Sequence, residues 1–184
     1  MSSAFPTHWR HDIRPWRLLA RLAAEPELGE TVNAQGRLLS ELMDARVLEL
    51  IALRVSAVVD VEYVWRAHAF LSTQRLAVLS PDEVARVTLG ADAFAGDDAD
   101  LLRAVDEILA GGLSAASRAT LGSDAVRVTI ATGFYALVGA LMRDAGPEDD
   151  IPSIAGLETP SAARRTGSPD AEVPRVSDIS ASAG

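Results

Sequence analysis

Residues 44–73 read DARVLELIALRVSAVVDVEYVWRAHAFLST, and the apolar spacing in this stretch predicts two consecutive helices. In the first, Val47, Leu48, Leu50, Ile51, Leu53, Val55, Val58 and Val59 cover every side of a helical cylinder. A helix that is apolar all round is buried in a core or between subunits. Arg46, Glu49 and Arg54 lie within it, and a charge in such a place needs a partner. The plainer expectation, and the favoured one on the residues alone, is an Arg46–Glu49 pair, three residues apart on a partly exposed edge. The alternative is a Glu49 carboxyl that burial prepares as a general base.

Asp60 is placed to cap the second helix, its side chain accepting from backbone near Tyr63. On that helix Val61, Val64, Trp65 and His68 share one face at spacings of three and four. His68 therefore points where the apolar stripe points. Two readings stand side by side: a satisfied core histidine, or an imidazole that exchanges protons near neutral pH beside Trp65 in a partly dry pocket.

Working outward, residues 15–24 and 28–43 have helical patterns, interrupted at Glu25-Pro26-Glu27. Ser80-Pro81-Asp82-Glu83 is a capping box with proline at the first helical position, opening a helix that runs toward Gly90. Residues 99–110 form a further helix, a short one follows with Ser114 as cap, and Ser123 is expected to cap a long one ending near Asp144. In that last helix Gly133 and Gly139 leave room for a neighbour, and Tyr135 is expected either to hydrogen-bond in the pocket or, the favoured reading, to be buried with its hydroxyl bonded to backbone. No strand-like alternation of useful length appears. The fold class expected is all-α, with an arm at 1–15, one helical domain at 16–146, and a disordered tail at 147–184. The tail holds five of the nine prolines and no aromatic residue, too little apolar surface to offset the cost of ordering.

Composition excludes several chemistries. The chain of 184 residues has no cysteine, hence no thiolate nucleophile and no disulfide. All 17 basic residues are arginine, so no lysine can form a Schiff base. A net charge of −9 disfavours nucleic acid, whose phosphates need a basic surface. The uncharged run 128–142 has fifteen residues, short of the roughly 20 that cross a bilayer. No secretory signal is legible, and a cytoplasmic protein with no membrane partner is expected. His8 and His11 lie three apart; without a convergent third ligand such as His68 they make no metal site. What is left is acid–base work by histidine and carboxylate, with arginine to hold an anion.

The motif Tyr63-Val64-Trp65-Arg66-Ala67-His68 resembles the signature of the carboxymuconolactone decarboxylase family, whose cysteine-free branch carries Tyr-Glu-Trp-x-x-His. The family includes AhpD-type alkylhydroperoxidases, in which a Cys-x-x-Cys precedes the same histidine and a glutamate lies one helix upstream. Those cysteine positions fall on Val61 and Val64, and the glutamate on Glu49. The likeness extends more loosely from about Leu18 to Arg143. It implies an AhpD-like helical bundle that assembles into a homo-oligomer (dimer, trimer or hexamer) and works without a cofactor. The missing cysteines exclude dithiol peroxidase chemistry, and Val64 in place of the family glutamate implies a substrate other than the family's usual lactone.

The function this implies is a cofactor-free lyase or isomerase, decarboxylase-like, acting on a small carboxylate or lactone, in a setting such as a secondary-metabolite pathway. His68 moves the proton and Glu49 orients it or shares the base role. Tyr63 and Trp65 shape the pocket, and Arg54, or else Arg46, binds a substrate carboxylate through its planar fork. The alternative is a non-catalytic helical oligomer that binds a small apolar ligand or a protein partner.

Overall fold

The computed structural model describes residues 16–145 together with Ile151, Ile154, Gly156 and Leu157. The arm expected at 1–15 and most of the tail expected at 147–184 lie outside the described residues. Among the described residues there are eight α-helices: α1 (Trp16–Ala23), α2 (Pro26–Leu42), α3 (Ala45–Val58), α4 (Glu62–Phe70), α5 (Pro81–Val87), α6 (Gly96–Leu109), α7 (Ala115–Leu121) and α8 (Ala125–Met142). Among the described residues there is no strand, so the all-α class holds.

The stretch that is apolar on every side, α3, is the axis of the fold. Leu50, Ile51, Ala52, Leu53 and Val55 are each 0% exposed. They are enclosed by α4, α5, α6 and α8, which pack around α3. Asp44 caps its N-terminus, its carboxylate accepting from Arg46 N at 2.8 Å and Val47 N at 3.4 Å. At the other end Asp60 takes a left-handed conformation, φ 56°, which aspartate tolerates better than most residues. The N-cap position of α4 is Val61, one residue beyond the expected Asp60, and Val61 has no side-chain cap bond. That left-handed turn sets the angle at which α4 folds back across α3.

Downstream of α4 the chain widens into one π-helical turn, Leu71–Arg75. The capping box of α5 forms as its sequence demands, Ser80 Oγ accepting from Glu83 N at 3.2 Å and Glu83 Oε2 from Ser80 N at 2.8 Å. Ser114 caps α7 through Ser117 N at 3.1 Å. Ser123 does not cap α8; it sits in a 3-10 turn, Gly122–Asp124, that links α7 to α8. Pro26 opens α2 at its first turn, consistent with a proline whose missing N–H costs nothing there.

The two glycines expected to admit a neighbour differ. At Gly139 a Cβ would lie 3.3 Å from Val59 Cγ2, so α8 approaches the α3–α4 corner closely there. Gly133 meets nothing within 4 Å and faces outward. Around it Val126, Ile130 and Leu137 are 64%, 46% and 46% exposed. The run Ala115–Met142 is long and apolar enough to cross a bilayer by length and composition, while its inner side, with Val128, Ala131, Thr132, Tyr135 and Met142, is bundle core.

The expectation that nothing beyond Pro147 packs is corrected at the described residues. Ile151 is 2% exposed and Leu157 6%, and both belong to the core cluster. Isolated apolar side chains in a polar segment are enough to dock it where a groove accepts them.

Candidate functional site

The left-handed turn at Asp60 brings α4 across α3, and two side chains from these helices meet. Glu49 Oε2 lies 2.9 Å from His68 Nδ1. Both residues are buried, 4% and 5% exposed. An unpartnered carboxylate in such a place would be costly, and the imidazole meets that need with a charge-assisted hydrogen bond. The favoured sequence expectation, an Arg46–Glu49 pair, is not what forms.

Arg46 instead turns toward α5 and α6. Its Nη2 reaches Glu83 Oε1 at 2.6 Å and Asp98 Oδ2 at 2.7 Å, and its Nη1 donates to Val78 O at 2.8 Å. The Ser80 backbone N–H and then the Arg46 guanidinium pull the Glu83 carboxyl down to about 2. Arg54, expected to bind substrate, is also engaged. Its Nε and Nη2 hold Asp106 in a two-pronged bond at 2.6 and 2.9 Å, and Nη1 donates to Val87 O and Thr88 O, both at 3.0 Å. The fork packs over Gly90, φ 83°, where a Cβ would come 2.9 Å from Nη2. That geometry makes Arg54 a clamp between α3, the end of α5 and α6. The substrate-carboxylate role expected for it is not carried by this arrangement, because the donors it would offer are already in use.

Tyr63 and Trp65 are buried as well, 2% and 1% exposed. Trp65 Nε1 donates to Leu157 O at 2.6 Å. Trp65 therefore joins the face of α4 that carries His68 to the segment beyond α8, and it lines packed core rather than an open cleft. A separate cavity of about 430 Å³ opens beside the N-terminal turn of α3, where Met43, Val47, Asp98, Leu101, Leu121 and Arg127 are among its walls. Neither Glu49 nor His68 lines it. His8 and His11, the other histidines, lie outside the described residues, and among the described residues no group of three or more metal-ligating side chains gathers.

One member of the site was undervalued in the sequence. Tyr135, on the inner side of α8, sets its ring edge-on to the His68 ring, centroids 4.9 Å apart at 87°. Phe134 holds it from the other side, ring centroids 5.2 Å apart. Burial, and secondarily the charge of Glu49, hold the Tyr135 phenol well above its ordinary pKa. The signal available in the sequence was its register: Val128, Ala131, Thr132, Tyr135, Val138 and Met142 recur at three and four along α8, which aims Tyr135 at the same interior as α3.

The arrangement is a carboxylate, an imidazole and a phenol, each from a different helix, at one interior point. It can pass a proton through the imidazole, stabilise the imidazolium with the carboxylate, and donate from the phenol. In comparisons with known proteins, no family model, no curated protein and no solved structure matches the chain.

Proposed function

We propose that Glu49 and His68 form the acid–base centre of a cofactor-free lyase or isomerase acting on a small carbonyl compound, with a lactone as the best fit. The observation that carries this is the 2.9 Å contact between Glu49 Oε2 and His68 Nδ1 across the α3–α4 crossing. With Nδ1–H donating to the carboxylate, Nε2 is the basic nitrogen of the ring. It takes a proton from carbon next to a carbonyl, and Glu49 stabilises the imidazolium so formed. The resemblance of the Tyr63–His68 motif supports the same reading and brings with it an AhpD-like bundle and a homo-oligomer.

An uncharged lactone or ketone fits better than a carboxylate. Arg46 and Arg54, the two arginines expected to bind an anion, are engaged by Glu83, Asp98 and Asp106, and Glu49 already puts a negative charge at the centre. Because the pair is 4–5% exposed, a ligand reaches it through local opening rather than a standing channel.

The test is deuterium exchange, in heavy water, at the carbon beside the carbonyl of α-angelica lactone, followed by NMR. The wild-type protein is expected to accelerate exchange over buffer. His68→Gln abolishes the acceleration, and Glu49→Gln lowers it about 10²- to 10⁴-fold, the usual span of general acid–base catalysis. Unchanged exchange in His68→Gln sinks the proposal.

A second reading has its own observation. The outer face of α8, with Val126, Ile130 and Leu137, is exposed and apolar, as are Leu38 and Leu42 of α2, 53% and 50% exposed. A non-catalytic helical oligomer joined through this face accounts for it, with the Glu49–His68 pair then serving as a buried structural bond.

A further inference from the structure

We infer that Tyr135 is the ligand-binding donor of this site: its phenol O–H bonds the carbonyl oxygen of the compound whose adjacent carbon faces the Glu49–His68 pair. The inference rests on the acid–base reading above and adds the group that fixes the class of ligand, one with an oxygen acceptor beside the acidic carbon.

Three observations carry it. Tyr135 is 7% exposed, so its side chain is more than nine-tenths buried. Among the described residues its hydroxyl makes no hydrogen bond, so the backbone bond favoured from the sequence is not what forms. Among the described residues no fully buried polar side-chain atom lacks a partner, so the hydroxyl oxygen keeps an accessible edge. A phenol body sunk in core, with its polar tip left over, offers a donor to whatever occupies that edge. The neighbouring polar residues of α8 do not share the property: Thr129 and Thr132 each donate to the carbonyl four residues back, Ala125 O and Val128 O, at 2.8 Å.

The placement suits the chemistry. The Tyr135 and His68 rings meet at 4.9 Å, which makes the phenol and the imidazole immediate neighbours. When His68 takes a proton from the carbon, the electron pair left behind forms a carbon–carbon double bond and the carbonyl oxygen becomes an enolate. Tyr135 O–H then donates to an oxygen that gains charge as the proton leaves, an interaction stronger after transfer than before. Where the compound carries a β,γ double bond, the anion is a dienolate, and return of the proton from His68 to its γ-carbon completes an isomerisation with no other reactant. The phenol stays protonated throughout the neutral range, since burial first and Glu49 second raise its pKa.

The chain has two tyrosines, Tyr63 and Tyr135, so protein labelled with ¹³C at the tyrosine Cζ gives two signals that a Tyr63→Phe variant assigns. The probe is γ-valerolactone, a neutral lactone without the reactive double bond. Saturating lactone is expected to shift the Tyr135 signal, and Tyr135→Phe weakens binding about tenfold, the size of one lost buried hydrogen bond. In α-angelica lactone exchange, Tyr135→Phe lowers kcat/KM about 10²-fold, with KM rising as binding weakens. A Tyr135 signal that does not move saturably, or Tyr135→Phe binding within twofold of wild type, overturns the inference. The two readings fail separately. If His68→Gln keeps exchange while the Tyr135 signal still shifts, the pair is wrong and the donor stands as a binding group. If His68→Gln loses exchange and Tyr135→Phe does not lower it, the pair stands and Tyr135 falls.

Discussion

At the scale of single residues, the energetics of Glu49 and His68 are separable from any chemistry they perform. Removing one partner of a buried pair leaves the other uncompensated, at a cost of about 3–5 kcal/mol. Glu49→Ala and His68→Ala are each expected to lose that much in urea unfolding. Replacing both with leucine removes both polar groups, so the double variant should recover most of the loss. A double variant as unstable as the sum of the singles would mean that the pair is not one interaction. Recovered stability with no lactone exchange would show that the fold tolerates losing the pair and the reaction does not. The sequence made Glu49 and His68 visible as polar residues on apolar faces. It did not pair them, because Arg46 lies three residues from Glu49 and His68 lies nineteen away; only the crossing of α3 and α4 makes the distant residue the nearer one.

At the scale of elements, the Arg46–Glu83–Asp98 cluster ties α3 to α5 and α6. The Glu83 carboxyl sits at about 2 in the fold against roughly 4.3 in an unfolded chain. A lowered pKa of this kind contributes stability above the unfolded value and loses it as pH falls through the folded one. Acid unfolding should therefore weaken the wild type steadily from about pH 4.3 toward pH 2, and Glu83→Gln should be less stable at neutral pH yet show a flatter decline. A Glu83→Gln profile parallel to wild type would remove this carboxylate from the acid response. The Arg54 clamp makes a second demand, on Gly90. Gly90→Ala must hold φ 83° and crowd Arg54 Nη2 at 2.9 Å, and an L-residue there costs roughly 1–3 kcal/mol. A shift in urea midpoint below the error of the measurement would show that the loop and the guanidinium rearrange freely. The capping box of α5 was legible residue by residue because its bonds span three positions. The clamp was not, since its bonds span fifty-two positions to Asp106 and thirty-three to Val87.

At the scale of the whole molecule, the exposed apolar face of α8 is the surface on which the proposed homo-oligomer can be tested. If a second copy covers it, Ile130→Asp with Leu137→Asp converts the assembly to monomer in sedimentation, with helix content retained in circular dichroism. A wild type that already sediments as monomer, or an assembly unmoved by the double variant, places the contact elsewhere. The sequence by itself determined that the chain is helical, that α3 is its buried axis, and where α5 and α7 begin. Those follow from apolar periodicity and from caps, which act over three or four residues. The tertiary structure alone decided that Glu49 belongs to His68, that Arg46 and Arg54 serve as clamps, that Tyr135 keeps an unshared hydroxyl, and that Ile151 and Leu157 return to the core. Each of these depends on which surfaces meet when helices pack, and helical periodicity fixes the face a side chain occupies without fixing the neighbour that face will find.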